Sequence, residues 1–184
     1  MKLKTILIAI LSILLLAACG TIDTNEQAEQ IDKEKEIDQV DDVKALVDEY
    51  SVGNFTDDHQ ASITATELII TNEDETEERY ELPEDEFFVS IAPFIDETHP
   101  CDNHSLTGCQ GELVDADFAV QIENEDGEVV VDETMNSGEN GFVDLWLPRE
   151  QNYHVTVDYD GKSVESELST FDNDGTCITT MQLF

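Results

Sequence analysis

The sequence predicts a mainly β protein, in which a short helix-containing region precedes a β-sandwich. In the second half of the chain, apolar and polar residues alternate over many short segments, which is the spacing of strands that bury one face. Asp-Gly pairs separate several of these segments, and Asp-Gly between two alternating runs is a strong signal for a β-hairpin. Ahead of them, one segment carries its apolar residues at helical spacing. Many short strands at this spacing favour a sandwich of two sheets.

The start of the chain has the pattern of a signal peptide. A basic start precedes an apolar run from Ile6 to Leu16, and this run is shorter than the roughly 20 apolar residues that a spanning helix needs. The tetrapeptide Leu-Ala-Ala-Cys that ends at Cys19 resembles the lipobox of bacterial lipoproteins. That resemblance implies cleavage after Ala18, lipidation of the Cys19 thiol and a place on the extracytoplasmic face of the cell membrane. The alternative is an ordinary signal peptide with an incidental cysteine.

Cleavage leaves a strongly acidic chain. Two of the eight Lys and Arg residues leave with the signal, so six remain against 44 Asp and Glu, a formal charge of −38. Such a surface repels nucleic acids and anionic lipid headgroups, so we expect no nucleic-acid partner and membrane contact through the lipid anchor alone. No Asp-x-Asp-x-Asp-Gly loop of the calcium-binding kind is present, so the acidic residues indicate a solvated surface suited to a saline or alkaline medium.

These patterns divide the chain into four segments. Residues 1–18 form the signal peptide, and the polar, acidic residues 19–36 form a tether between the lipid anchor and the fold. Residues 37–82 form a small region with one helix and the first strands, and residues 83–184 form the β-sandwich that contains the candidate metal ligands.

The helix is predicted from about Ile37 to Tyr50. Val40, Val43 and Val47 fall at helical spacing with Tyr50, and the following Gly-Asn pair breaks the pattern. The apolar stripe favours packing on the chain's own domain, and a dimer or partner face is the alternative use.

Strands are predicted where the apolar spacing changes to two, or where an apolar run is bounded by turn residues. Their approximate ranges are 63–70, 80–82, 86–95, 118–122, 129–131, 142–147, 153–159, 163–170 and 177–184. The segment from Gly141 to Thr170 resembles prealbumin-like and carboxypeptidase-regulatory-type sandwich domains, with a turn, an apolar strand, a Pro-containing loop and a Tyr-x-Val-x-Val strand. That resemblance implies a prealbumin-like or immunoglobulin-like sandwich and no activity.

One segment holds a dense set of soft and borderline metal ligands. Cys101, His104 and Cys109 form a Cys-x2-His-x4-Cys pattern in a loop with Pro, Asn and Gly, where the backbone can fold ligands inward. Cys177 opens the last predicted strand, so a sheet can bring it back to this loop. Thiolate and imidazole together suit Cu(I) or Zn(II), and thiolate-rich sites with few ligands favour Cu(I).

The same cysteines permit a structural interpretation. Three cysteines remain besides the lipidated one, and in an exported chain pairs of cysteines tend to become disulfides. Closeness of Cys177 to the loop allows a disulfide with Cys101 or with Cys109. Spacing alone does not decide between a stapling disulfide and metal binding. It also does not decide whether His99 or Met181 is a further ligand. A Cys-x-x-Cys motif of thiol oxidoreductases is absent, which argues against an enzyme of that class.

Several separate segments, in order, are similar to the CueP family of exported copper-binding proteins. They are residues 87–94, 98–113, 140–149 and 176–181, and the similarity runs from about Ile63 to the end of the chain. The resemblance implies copper binding and copper tolerance outside the cytoplasm, with the family's three cysteines at Cys101, Cys109 and Cys177 and its histidine at His104. It also implies reduction of Cu(II) by the thiols, transfer of copper to a secreted copper enzyme and contact with a disulfide-handling protein.

The predicted function is therefore extracytoplasmic sequestration or chaperoning of Cu(I), without enzymatic turnover. A lipoprotein held by a disulfide without metal, and a zinc-binding protein, are the alternatives, and a homodimer is left open. The lipid anchor, the acidic surface and Pro100, where members of the family often have a polar residue, depart from the pattern and put the delivery partner in question.

We expect the Cys19→Ser variant to lose its membrane association, because it lacks the thiol that would be lipidated. The lipid on that thiol would carry two acyl chains, which anchor a protein stably, whereas a single chain anchors it only marginally. Fractionation of cells that express either protein measures the share in the membrane pellet. The Cys109→Ser variant is the control and should fractionate like wild type. Equal partition of wild type and Cys19→Ser would contradict the lipid anchor.

Overall fold

The computed structural model describes residues 40–52 and 59–184, and the structural statements below concern that part of the chain. It contains one helix, α1 (Val40–Val52), and eleven strands. The strands are β1 (Gln60–Ile63), β2 (Glu67–Thr71), β3 (Glu77–Glu81), β4 (Glu86–Ile91), β5 (His104–Ser105), β6 (Asp117–Asn124), β7 (Val129–Asn136), β8 (Val143–Pro148), β9 (Asn152–Tyr159), β10 (Lys162–Ser169) and β11 (Cys177–Ile178). The mainly β fold class is confirmed. The predicted signal peptide, tether and lipidated Cys19 lie outside the described residues.

The strands of this part form three sheets. The sheet β10-β9-β6-β7 is antiparallel throughout. In the sheet β11-β4-β8, β4 runs antiparallel to β8 and parallel to β11. The third sheet, β3-β2-β1-β5, is antiparallel. The final strand therefore lies beside β4, far back along the chain, and not beside β10.

The hairpin between β9 and β10 has the predicted Asp-Gly turn. Tyr159 and Lys162 are register partners, so the loop contains just Asp160 and Gly161. Both loop residues have positive φ, 47° and 77°, which is the backbone of a type I′ turn. The twist of that turn matches the twist of paired strands, so these two residues fix the register of the hairpin.

Strand β4 is buried on both faces, and this sets the order of the layers. Phe87, Val89 and Ile91 belong to the core shared with the sheet β10-β9-β6-β7. Phe88 belongs to a second apolar cluster, where its ring lies 5.2 Å from that of Trp146. Burial on both faces explains why β4 reads as a nearly continuous apolar run and not as an alternating one.

Helix α1 and the sheet β3-β2-β1-β5 supply the residues of that second cluster. Val43 and Val47 of α1 pack there with Ile63, Leu68 and Phe88. The apolar stripe of the helix thus packs on the chain's own fold, as predicted. Among the described residues, no helix has the length and apolar character needed to cross a bilayer. The boundary predicted between residues 82 and 83 falls in the connection between β3 and β4 and stays a prediction.

Several strands have other bounds than predicted: β3 spans Glu77–Glu81, β4 ends at Ile91 and β7 extends to Asn136. The segment 63–70 forms two strands because the Thr64 hydroxyl accepts a hydrogen bond from the Glu67 amide at 3.0 Å and turns the chain. The last strand ends at Ile178, and beyond it a single bridge joins Phe94 to Gln182, since the chain has left β4 at that point. Strand β5 was not predicted, because two residues show no period.

Arg149 joins the end of β8 to the neighbouring sheet. Its Nε donates to the carbonyl of Pro83 at 3.1 Å, and a terminal nitrogen donates to the carbonyl of Ala65. Its side chain is 9% exposed and lies over the Phe87 ring, 5.4 Å from the centroid. The ion pair with Asp172 at 3.4 Å involves a carboxylate that is 77% exposed, so the carbonyl contacts carry more of the stabilisation.

We expect Arg149→Met to lower the free energy of unfolding by about 1–3 kcal/mol. The methionine side chain is apolar and has no donor, so the two half-buried carbonyls of Pro83 and Ala65 lose their hydrogen bonds. Asp172→Asn removes only the carboxylate charge of the exposed ion pair and should change the free energy of unfolding by less than about 0.5 kcal/mol. Urea unfolding of the three proteins measures both values. Equal losses in the two variants would show that the ion pair, and not the carbonyl contacts, is the stabilising element.

Candidate metal centre

The four predicted metal ligands converge around the first residue of β11. Cys101 precedes β5, His104 opens β5, Cys109 follows it, and Cys177 opens β11. One ligand atom from each of the four lies within 4.8 Å of the others, and among the described residues this is the group of His, Cys, Asp and Glu side chains that could hold a metal ion. The sheet thus brings Cys177 back to the loop, across a sequence separation of 76 residues from Cys101.

The three sulfur atoms are in contact. Cys101 and Cys177 form a disulfide, with their Cα atoms 5.6 Å apart. The Sγ of Cys109 lies 3.5 Å from the Sγ of Cys101, and Cys109 is the free thiol of the described residues. The sequence left the disulfide of Cys177 open between two partners, and the structure joins it to Cys101. Oxidised in this way, the cluster keeps one thiol and one imidazole; reduced, it offers three thiolates and the imidazole.

His104 is buried completely, and its imidazole is neutral at physiological pH. Desolvation, with a smaller contribution from the charge of His99, lowers the pKa of His104 to about 4. Its Nδ1 lies 3.6 Å from the Sγ of Cys177, and no described residue offers a hydrogen-bond partner to its buried Nε2. In a neutral imidazole one ring nitrogen carries the proton and the other a free lone pair, so Nδ1, which lies beside Cys177, can be a metal ligand when Nε2 holds the proton. The residues therefore fit a bound metal ion.

Apolar side chains enclose the inner side of the cluster. Phe142 and Ala92 form a buried cluster with Cys177, and Cys101 and Cys109 pack against it. The ring of Phe142 lies 4.5 Å from the imidazole of His104, centroid to centroid. An apolar shell of this kind limits the access of water and lowers the local dielectric constant, so it tunes the affinity of a metal site.

A glycine lets the segments of the two disulfide-bonded cysteines approach each other. The amide of Cys177 donates to the carbonyl of Asp102 at 3.0 Å. A Cβ atom at Gly175 would lie 2.7 Å from that same carbonyl oxygen, so a larger residue would push the strand away. The close approach of backbone to backbone thus requires glycine at this position.

A second close approach fixes the far end of the loop. The amide of Gly111 donates to the carbonyl of Asn140 at 2.7 Å, and a Cβ atom at Gly141 would lie 2.8 Å from the Cα of Gly111. Gly141 also has a φ of 79°, a conformation that other residues rarely adopt. The contact fastens the chain after Cys109 to the segment that leads into β8, where Phe142 packs against the cluster.

Glu112 holds the entry to the same loop. Its carboxylate accepts hydrogen bonds from the amides of Ile95 and Asp96, the latter at 3.1 Å. Partial desolvation opposes the shift, but bonds from the amides of Ile95, Asp96 and Glu97 dominate and lower the pKa of Glu112. The carboxylate therefore stabilises this turn in its charged form.

The remaining candidate residues lie apart from the group. Met181 is 1% exposed and packs in the core that β4 and β8 share with the sheet β10-β9-β6-β7. His99 is half-buried and 6.2 Å from the Phe142 ring, and its imidazole is not among the four grouped ligand atoms. Sequence reasoning missed the parts played by Phe142, Gly141 and Gly175. The Asn-Gly pair before Phe142 and the Asp-Gly pair before Cys177 were visible as turns, but not as contacts.

The comparisons with known proteins agree with this geometry. The model of a family described as periplasmic copper-binding protein CueP matches residues 40–182. Among solved structures, the crystal structure of S.CueP is similar, with a TM-score of 0.73 and 38% sequence identity. That similarity covers 77% of this chain and 88% of the other. No curated protein sequence matches the chain.

We expect Glu112→Gln to lower the melting temperature at neutral pH, because the neutral amide binds the loop amides less strongly than the carboxylate does. The folded state lowers this pKa, so the stabilisation is present above the ordinary glutamate value of 4.5 and is lost as the pH falls through the lowered value. Melting curves between about pH 7 and pH 3 should therefore converge at the acidic end.

The control for this measurement is Glu139→Gln, which neutralises an exposed glutamate in the turn after β7. The melting temperature of this control should stay close to that of wild type at every pH. A difference between wild type and Glu112→Gln that stays constant down to the acidic end would show that the carboxylate charge is not what stabilises the loop.

Proposed function

We propose that this chain, which belongs to the CueP family of periplasmic copper-binding proteins, binds Cu(I) outside the cytoplasm through Cys101, His104, Cys109 and Cys177. The observation that carries the proposal is the meeting of three sulfur atoms with a neutral, buried imidazole whose Nδ1 lies 3.6 Å from the Cys177 sulfur. The family membership supports copper as the metal, and the donor set supports the cuprous ion.

The donor set favours a soft ion. Thiolates are soft ligands that select Cu(I), and a neutral imidazole suits copper as well as zinc. Three thiolates and one imidazole are also a ligand set of structural zinc sites, so zinc is the metal that competes. Cys101 and Cys109 are half-buried whereas His104 and Cys177 are buried, so one side of the site faces solvent. A partly open site suits a protein that takes up and releases its cargo.

The same sulfurs can supply electrons. Formation of the Cys101–Cys177 disulfide from two thiols releases two electrons and two protons, and these electrons convert two Cu(II) ions to two Cu(I) ions. The Cys101–Cys177 disulfide supports this part of the proposal, because these two sulfurs are close enough to form the bond. A disulfide-handling protein would return the thiols, after which the site binds Cu(I) again. Copper reduction and copper binding therefore alternate at one set of residues in this proposal.

The proposed role in the cell is copper tolerance at the extracytoplasmic membrane face. A lipid anchor at Cys19 would keep the protein near the membrane, and sequestration of Cu(I) would lower its free concentration there. Transfer of copper to a secreted copper enzyme and assembly as a homodimer are further parts of this proposal. The acidic surface repels anionic partners, so a copper acceptor would need a neutral or basic docking face.

A structural protein stapled by a disulfide is the second candidate function. The Cys101–Cys177 disulfide favours it, because a bond across 76 residues restricts the unfolded chain strongly. That candidate gives no role to Cys109 at 3.5 Å from the bonded sulfur, or to the unpartnered Nε2 of His104. We therefore rank copper binding above it.

We expect the reduced protein to bind about one Cu(I) and to prefer it to Zn(II), because thiolates select the softer ion. Cys101→Ser and Cys109→Ser should each abolish tight binding, and His104→Ala should weaken binding by roughly 10- to 100-fold. Competition with a chromophoric Cu(I) chelator measures each affinity, and the same titration with Zn(II) measures the preference.

The matched control for His104→Ala is His154→Ala. His154 lies on β9, is 42% exposed and stands beside Glu165 and Glu167 of β10. The Cu(I) affinity of this control should equal that of wild type. Equal copper uptake by wild type and the Cys101→Ser, Cys109→Ser double variant would end the proposal, and tighter binding of Zn(II) than of Cu(I) would replace copper with zinc.

A further inference from the structure

The threonine before Cys177 uses both hydrogen-bonding functions of its hydroxyl. Thr176 is 0% exposed. Its Oγ1 accepts a hydrogen bond from the amide of His104 at 2.9 Å and donates one to the carbonyl of Ile63 at 2.7 Å. A buried hydroxyl with both functions satisfied contributes to a fixed geometry, because no other arrangement at that place satisfies the same groups.

These two bonds bridge a pair of strands. Ile63 of β1 and His104 of β5 are register partners, and the Thr176 hydroxyl stands between the amide of one and the carbonyl of the other. Strand β5 has two residues, so it has few ladder bonds of its own. The hydroxyl therefore supplies a large share of the bonds that hold the backbone of His104.

The main chain of Thr176 belongs to a different sheet. Its carbonyl accepts a hydrogen bond from the amide of Ser90 at 2.8 Å, beside the parallel pairing of β11 with β4. Cys177 is held by that pairing and by the bond from its amide to Asp102 at 3.0 Å, neither of which uses the hydroxyl. The hydroxyl thus ties the strand that carries His104 to the strand that carries Cys177.

We infer that Thr176 is a positioning residue of the metal centre, which acts through His104 and holds its imidazole at metal-binding distance from the Cys177 sulfur. This inference rests on the proposed function. Without the hydroxyl, the amide of His104 and the carbonyl of Ile63 lose their partner in a buried place, and β5 must shift to find others. The imidazole moves with β5, whereas Cys177 stays on its pairing with β4. The amide of Cys109 donates to the carbonyl of Ser105 in β5 at 3.0 Å, so that cysteine is held in part by the same strand.

A purely structural role is the alternative, and the chain offers a matched control for it. Thr170 is also 0% exposed, donates from its hydroxyl to the carbonyl of Pro148 at 2.9 Å and accepts from the amide of Gln151 at 3.2 Å. Thr170 follows β10, and its hydroxyl bonds to the turn between β8 and β9, so it has a similar bonding pattern away from the predicted metal ligands. Thr170→Val therefore reproduces the loss of a buried hydroxyl without reaching the site.

The test compares Cu(I) affinity, by chelator competition, for reduced wild type, Thr176→Val, Thr176→Ser and Thr170→Val. We expect Thr176→Val to weaken binding by roughly 10-fold or more, in the range that supporting residues of metal ligands show. Thr176→Ser retains the hydroxyl and should stay within about 3-fold of wild type, and so should Thr170→Val, although its melting temperature falls. Thr176→Ala should weaken binding as Thr176→Val does, so the test does not depend on one variant folding.

Two further readouts separate positioning from general damage. The ultraviolet absorption of the Cu(I)–thiolate bonds should be retained in Thr176→Val at saturating copper, because the variant keeps all three cysteines. In the His104→Ala background, Thr176→Val should change the affinity by less than about 3-fold, since a residue that acts through His104 has no effect without it.

The outcomes are distinct. A wild-type protein that fails to bind Cu(I) overturns the proposed function and this inference together. If wild type binds copper but Thr176→Val matches Thr170→Val, or weakens binding equally with and without His104, the inference alone is overturned.

Discussion

The parallel pairing of β11 with β4 is the constraint on which the candidate metal centre depends. Strand β4 is buried on both faces and is hydrogen-bonded to a neighbour on each side, β8 and β11. Pairing of Cys177 with Ser90 fixes the last cysteine to it, and the bond from the Cys177 amide to Asp102 then draws in the loop with Cys101. Loss of this one pairing would leave the three remaining ligands on a loop without the partner that completes the group.

Local patterns in the sequence were sufficient for much of the fold. Asp160 and Gly161 specify their hairpin because two residues with positive φ favour a type I′ turn, whatever the surroundings are. The helix followed from the spacing of Val43 and Val47, and the strand β4 followed from its nearly continuous apolar run. Each of these features depends on neighbours in sequence or on a single period, and such features are visible without coordinates.

Long-range contacts could not be predicted in the same way. Nothing near Cys177 indicates that its strand pairs in parallel with β4, and the two-residue β5 carries no period at all. The pattern of Cys101, His104 and Cys109 was local and therefore visible, whereas the support from Thr176 depends on strands far apart in sequence. The family resemblance supplied the fourth ligand, which spacing alone left open. Its role as a ligand stays a prediction.

The disulfide described above also has a topological consequence. Cys101 and Cys177 stand at the two ends of a segment that contains β5 to β10, so their bond closes most of the sandwich into a covalent ring. A copper ion held by the same two sulfurs would close that ring again by coordination. The ring is then open only when the protein is reduced and holds no copper. Without either cross-link, the unfolded chain has more conformational entropy, so the folded state is less stable. The empty, reduced form would therefore be the form that proteases cleave first.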